Sequence, residues 1–192
     1  MARSMGPRFK VARRLGVNVF NHPKALNRGI KKQKLSEYGE QLLEKQKLKA
    51  YYGVLEKQFR RYVFEAMSSK EKSEVVLIQR LEMRLDNIVY RMGFGSTLRQ
   101  SRQMVTHGHI RVNGQKVDIP SYKLKVGDVI SLKEASKKTD MFVENFNSIL
   151  PSVNYIEKDI ESLSGTIKNM PNIEDIPVDV KFPKIIEFYS KN

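Results

Sequence analysis

The stretch Arg80-Leu-Glu-Met-Arg-Leu-Asp-Asn-Ile-Val-Tyr-Arg-Met-Gly-Phe-Gly95 decides the fold. Leu77, Leu81, Leu85, Ile88 and Met92 step by four, four, three and four, which is one face of a helix from about Glu74 to Met92. Arg80, Arg84, Asn87 and Arg91 run along an adjacent face. Such a helix docks its apolar stripe on a core. Its polar stripe is either a solvated face or a cation display. Three arginines and no lysine favour the display, because a planar guanidinium suits phosphate and stacked bases.

Downstream, Gly93-Phe94-Gly95 ends this helix and Ser96-Thr97 opens another. Thr97-x-x-Gln100 has the form of a capping box, and Arg99, Arg102 and Gln103 share one side of the short helix through His107. Its N-terminal amides form a ready phosphate site. The period then changes to two. Ile110-Arg-Val, the turn pair Asn113-Gly114 and Gln115-Lys-Val read as a hairpin, with a final strand at Val129–Leu132. Two helices feeding a small antiparallel sheet make a compact module of α+β class.

Upstream, a helix from Ser36 carries Glu37 in its first turn and Lys45, Lys47 and Lys49 late, an order that suits the helix dipole. Gly53 breaks it. A second helix, with Val54, Leu55, Phe59, Tyr62, Val63 and Met67 as its apolar band, ends near Ser68-Ser69. After the module, Met141–Ile149 suggests a helix, followed by extended pieces near Ser164–Lys168 and Lys184–Tyr189 among three prolines.

Charge divides the chain of 192 residues, whose net charge is +14. Residues 1–34 hold ten Lys and Arg and no acid, whereas residues 139–192 hold five bases against nine acids. A block of like charge repels itself, so the first 34 residues are expected to be an extended basic arm punctuated by Gly6-Pro7, Gly16 and Gly29. The arm is either a solvated tail or a segment ordered on nucleic acid. Ten bases without an acid favour nucleic acid.

Catalysis lacks its parts. Zero cysteines removes disulfides, zinc-thiolate sites and thiol nucleophiles. His22 stands alone, and His107 and His109, two apart on an extended segment, are expected to face opposite ways and share no metal. They read as RNA-contacting or packing residues. No phosphate loop of the Gly-rich, Lys-Ser/Thr type occurs. The longest aliphatic run, Val75–Ile78, is far short of the ~20 residues that span a bilayer. Neither enzyme, cofactor, metal nor membrane is expected.

The stretch Arg80–Gly95 continues through Ser101-Arg-Gln-Met-Val-Thr-His-Gly-His-Ile-Arg-Val-Asn-Gly to Ile119-Pro-Ser-Tyr. It resembles the αL RNA-binding module, in the form carried by the S-four family of bacterial small-subunit ribosomal proteins. Leu35-Ser-Glu-Tyr-Gly, Glu44-Lys-Gln-Lys and Tyr52-Gly-Val-Leu-Glu-Lys-Gln-Phe-Arg-Arg extend the resemblance upstream, so that it covers essentially the whole chain.

The resemblance implies a cytoplasmic protein of the small ribosomal subunit that binds the 5′ domain of 16S rRNA and nucleates assembly of the subunit body. It implies S-five as a neighbour, a shared influence on decoding accuracy with S-twelve, and proximity to incoming mRNA. Homo-oligomerisation in the ribosome is not expected. The implied architecture is a mostly helical domain interrupted by the module. Residues 1–34 would be the arm, 35–79 the first part of the helical domain, 80–138 the module and 139–192 a segment returning to the helical domain. The chain departs from many members in lacking arm cysteines, so zinc binding does not carry over.

The residues expected to meet RNA are Arg84, Arg99, Arg102, Gln103, His107 and Arg111 in the module, with Tyr122 or Phe94 available for packing or stacking. In the arm they are Arg3, Arg8, Lys10, Arg13 and Arg14, and on the helical domain Lys45, Lys47, Lys49, Arg60 and Arg61. An RNA-modifying enzyme built on the same module would need a further catalytic domain, for which too little chain remains. A free-standing RNA-binding regulator is disfavoured by the arm and the Tyr52–Arg61 motif.

Overall fold

In a computed structural model, the structure describes residues 6–31, 34–149 and 153–191. Among these, the chain forms α1 (Arg8–Leu15), α2 (Glu37–Tyr51), α3 (Glu56–Met67), α4 (Ser73–Glu82), α5 (Leu85–Arg91) and α6 (Leu98–Thr106). There follow β1 (Ile110–Val112), β2 (Gln115–Lys116), β3 (Val129–Leu132), α7 (Asp140–Ser148), β4 (Ile156–Asp159), β5 (Ser164–Ile167) and α8 (Phe182–Ser190). The class is α+β, as the sequence implied.

The chain divides into two units, one of residues 1–77 with 178–192, the other of residues 78–177. The segment expected to return to the helical domain as a whole therefore returns only from Val178. Residues 139–177 stay with the module, because β5 pairs antiparallel with β3 (Ile130 opposite Gly165) and β4 pairs with β5. The sheet order is β2-β1-β3-β5-β4. What looked like a three-strand module is a five-stranded sheet completed from distant sequence.

In the first unit, the basic arm is not extended. Arg8–Leu15 is helical, with Pro7 at its N-cap and Gly16 at φ 75° closing its C-terminus. The residues that seemed to forbid a helix are its ends. Ala12, Leu15, Val19 and Ala25 are buried, and the Arg13 Nε–H donates to the Gly29 carbonyl at 3.1 Å. The cations project outward from a small apolar seam, so their repulsion is relieved by solvent rather than by extension. Ser36 caps α2 by accepting the Gly39 N–H at 3.3 Å. The piece expected to be extended at Lys184–Tyr189 is α8 instead. Pro183 sits in its first turn, and Ile185, Phe188 and Tyr189 form a buried face at helical spacing.

In the second unit, the helix expected over 74–92 is two helices. Arg84 is extended (φ −79°, ψ 139°) between α4 and α5. The Leu85 and Asp86 N–H groups donate to the Tyr122 and Pro120 carbonyls at 3.0 Å, and the Leu124 N–H donates to the Met83 carbonyl at 2.9 Å. Pairing with the 120–124 segment replaces the helical bonds, which the apolar spacing alone did not reveal. Leu85, Ile88, Val89 and Met92 pack with Ile110, Ile130 and Ile167 from the sheet and with Phe142 and Phe146 of α7. Phe94 and Phe146 stack with centroids 4.4 Å apart. The hairpin turns at Asn113 and Gly114, both at positive φ (50° and 78°), as a primed turn requires.

Candidate nucleic-acid interface

The candidate interface in the second unit is centred on α6. The Thr97 hydroxyl oxygen accepts the Gln100 N–H at 3.2 Å, and Gln100 Oε1 reaches back to the N–H and hydroxyl of Ser96 at 2.8 and 2.7 Å. The box is thus reciprocal, but displaced one residue upstream of the expected donor. Ser101, Met104 and Val105 face the core. Arg99, Gln103 and His107 are exposed at four-residue intervals along the opposite side. Arg102 is less open: its side chain is 24% exposed, and Nη1 lies 3.7 Å from Asp86 Oδ2.

Gly108 turns the chain from α6 into β1 at φ +72°, and a Cβ there would lie 2.7 Å from Lys116 Cε. The aliphatic stem of Lys116 therefore crosses over Gly108. Arg111 sits opposite Lys116 in the β1–β2 ladder and donates from Nη1 to the Gly114 carbonyl at 3.1 Å. Lys116 was missed in the sequence, although the Asn113-Gly114 hairpin already placed it opposite Arg111. Its charge is partly met by Asp118 at 3.5 Å.

The two histidines differ in exposure but lie closer together than an extended segment would place them. Their ring centroids are 6.2 Å apart, because the left-handed turn at Gly108 breaks the strand alternation between them. His107 is exposed, while His109 turns inward to place Nδ1 2.9 Å from Ser136 Oγ and its ring edge-on to Phe142. Burial lowers the pKa of His109 below the ordinary histidine value, helped by the neighbouring His107 and Lys133. Among the described residues no group of His, Asp and Glu is placed to hold a metal ion.

The basic stripe of Arg84, Asn87 and Arg91 is turned inward. Arg84 is 2% exposed and grips Asp86 with two bonds, Nε to Oδ1 at 3.0 Å and Nη2 to Oδ2 at 2.7 Å. Arg91 donates from Nη2 to Glu82 Oε1 at 2.7 Å, and Asn87 Nδ2 to Glu82 Oε2 at 2.6 Å. Arg84 therefore cannot lie against RNA in this fold. The break at Arg84 brings α5 back past Glu82, and acids that solvated arginines would not need are used to bury them. Phe94 is fully buried and serves packing, whereas Tyr122 is exposed.

In the first unit, the lysines of α2 are also drawn inward. Lys45 is 6% exposed, 3.1 Å from Glu56 Oε1, with Nζ 4.2 Å from the centre of the Phe188 ring. Lys49 bonds Glu56 Oε2 at 2.6 Å and Lys47 bonds Glu44 Oε1 at 2.7 Å. The Tyr189 hydroxyl donates to Glu56 Oε1 at 2.6 Å. Burial alone would raise the Glu56 carboxyl, but hydrogen bonds from Lys49, Tyr189 and Lys45 outweigh it and hold it at about 2. These lysines hold α8 rather than offering themselves to phosphate. Lys10, Arg14, Arg60 and Arg61 are exposed, Arg8 and Arg13 are half-buried, and Arg3 lies outside the described residues. Arg60 lies over the Phe64 ring at 5.2 Å, and Arg61 pairs loosely with Glu65 at 3.4 Å.

The helical unit carries a cationic arm, and the module leads from an arginine-bearing helix through Gly108 into a basic hairpin, features that suit a nucleic-acid-binding protein. Residues 83–130 match the family described as S4 domain, and residues 3–82 match the ribosomal protein S4/S9 N-terminal domain. The chain is 68% identical over 192 residues to the small ribosomal subunit protein uS4B of Clostridium acetobutylicum, covering 100% of both chains. It is 49% identical to uS4 of Finegoldia magna and 44% identical to uS4 of Neisseria meningitidis, again across 100% of each. The chain belongs to the uS4 family of small-ribosomal-subunit proteins. These relatives are ribosomal proteins, not enzymes. No helix among the described residues is long and apolar enough to cross a membrane.

Proposed function

We propose that this chain is a structural constituent of the small ribosomal subunit in the cytoplasm, that it binds 16S rRNA directly in the 5′ domain, and that it nucleates assembly of the subunit body. Protein S-five is its neighbour and S-twelve its functional partner in decoding accuracy, and incoming mRNA passes close by. The reading rests on the exposed row Arg99, Gln103 and His107 beside Arg111 and Lys116. This is a cation-rich strip on a rigid helix and hairpin, with no catalytic constellation near it. Phosphate contacts position such a strip, and RNA shape rather than base sequence selects it.

Arg102 contributes from the edge of the strip, and in the first unit Lys10, Arg14, Arg60 and Arg61 supply a separate set. If about eight phosphates are neutralised, log affinity falls against log salt with a slope of roughly −6 to −7. The deciding experiment is sedimentation of the cellular protein together with filter binding to 16S rRNA transcribed in vitro. Co-sedimentation with the small subunit in high salt is the expected outcome. Free protein at native salt, or a binding slope near zero, overturns the reading.

A further inference from the structure

We infer that His22 is an RNA-contact residue of the arm, presenting its Nε2–H to a phosphate oxygen as an uncharged donor fixed in place beforehand. The inference rests on the RNA-binding reading above and deepens it. His22 stands alone in the sequence but not in the fold. Asn18 clamps its backbone twice: the His22 N–H donates to Asn18 Oδ1 at 3.1 Å, and Asn18 Nδ2 donates to the His22 carbonyl at 3.0 Å. The Ala25 N–H donates to the same carbonyl at 3.0 Å. Val19 and Ala25, on either side in the chain, are buried in the apolar seam of the arm. The turn that carries the imidazole is therefore anchored at both ends.

The ring is fixed as well. The Lys24 N–H donates to Nδ1 at 3.1 Å, and the Phe9 ring of α1 packs against the imidazole with centroids 4.8 Å apart and planes inclined at 49°. A nitrogen that accepts a hydrogen bond carries no proton, so the uncharged imidazole holds its proton on Nε2. His22 is half-buried, and among the described residues nothing bonds Nε2, which is not closed off from solvent. A free surface imidazole would lose its rotamer freedom on meeting RNA. This one has already lost it on folding. The turn itself does not need a histidine, since an asparagine side chain also accepts a backbone N–H two residues on. What the imidazole adds is its second nitrogen. Phe9 stands between Arg8 and Lys10 in α1, and Lys24 is exposed, so the anion gathered around this ring is phosphate.

The test uses the full chain and in-vitro-transcribed 16S rRNA. His22→Asn keeps an acceptor for the Lys24 N–H and removes the Nε2–H. It is expected to weaken binding about three- to tenfold, the share of one hydrogen bond. An uncharged donor displaces no counterion, so the log–log salt slope should stay within about 0.3 of that of the unaltered protein. Loss of a cation contact would instead flatten it by about 0.7–0.9. Affinity within about twofold of the unaltered protein overturns the inference. A flattened slope overturns it too, because the change would then have removed a charge or displaced the cations of the arm.

Nitrogen NMR of the unaltered free protein gives a second reading that depends on no variant. With the imidazole uncharged, Nδ1 of His22 should resonate as an unprotonated acceptor and Nε2 as a protonated nitrogen. The opposite tautomer, or the averaged signals of two tautomers in exchange, overturns the inference. Should the unaltered protein bind RNA without salt dependence, the RNA-binding reading itself fails. That outcome is distinct from a failure at His22 alone.

Discussion

The Tyr155 hydroxyl donates a 2.5 Å hydrogen bond to Glu82 Oε2, joining positions 73 residues apart in the chain. Tyr155 is 2% exposed and Glu82 is fully buried. Burial raises the Tyr155 phenol far above its ordinary value, and the adjacent Glu82 charge and hydrogen bond raise it further, so it remains a donor at every physiological pH. With Asn87 and Arg91, Tyr155 satisfies a carboxylate that would otherwise be buried unpaired. The bond adds to the β3–β5 pairing in tying Tyr155, just before β4, to the module.

Replacing Tyr155 with Phe removes the donor and leaves Glu82 with its Asn87 and Arg91 bonds. The expected cost is about 1–3 kcal/mol of unfolding free energy, the range for a buried hydrogen bond to a charged group. Urea denaturation followed by circular dichroism measures it. A variant as stable as the parent would show that Tyr155 only fills space.

Glu56 makes the first unit sensitive to acid. Its carboxyl is held at about 2 in the fold against an ordinary 4.5. The unfolded chain therefore binds the proton more readily, and the stability it confers is complete above pH 4.5 and drains away as pH falls toward 2. With Glu56→Gln, the docking of α8, read from the ring signals of Tyr189 and Phe188, should lose part of its pH dependence across that window. The same pH profile in both proteins would refute the assignment.

Gly93 should not tolerate a side chain. It lies at φ +85°, and a Cβ would sit 2.8 Å from Ile149 Cβ. Gly93→Ala combines left-handed strain with an overlap against a branched carbon that cannot swing away, and is expected to cost about 2–4 kcal/mol. Thermal melting reads this directly. At Gly114, also left-handed but with open space around it, the same change should cost only the strain.

Exposed and internal cations should separate in their salt response. Arg99→Ala is expected to lower RNA affinity and to flatten the log–log salt slope by about 0.7–0.9, one phosphate's share. Lys45→Met should leave the slope unchanged and alter the melting temperature instead, because that lysine is committed to Glu56 and the Phe188 ring. Equal slopes for Arg99→Ala and the parent would remove Arg99 from the interface.

Local features were legible because local bonds make them. The Ser36 and Thr97 caps, the Asn113-Gly114 hairpin, the band of α3 and the apolar face at Leu81, Leu85, Ile88 and Met92 all rest on spacings of two to four residues. The net charge, its crowding into the first 34 positions and the absence of cysteine likewise follow from composition, and with them the expectation of an RNA partner rather than a reaction. The fate of each cation was not legible. Arg84, Arg91, Lys45 and Lys49 carry the same formal charge as Arg99 and Lys10, yet their acids Asp86, Glu82 and Glu56 reach them only through the helix break at Arg84 or the turn between α2 and α3. Periodicity reports which face a residue shares. Only tertiary packing reports whether a carboxylate waits there, because an ion pair is decided by three-dimensional distance and by the water excluded from it.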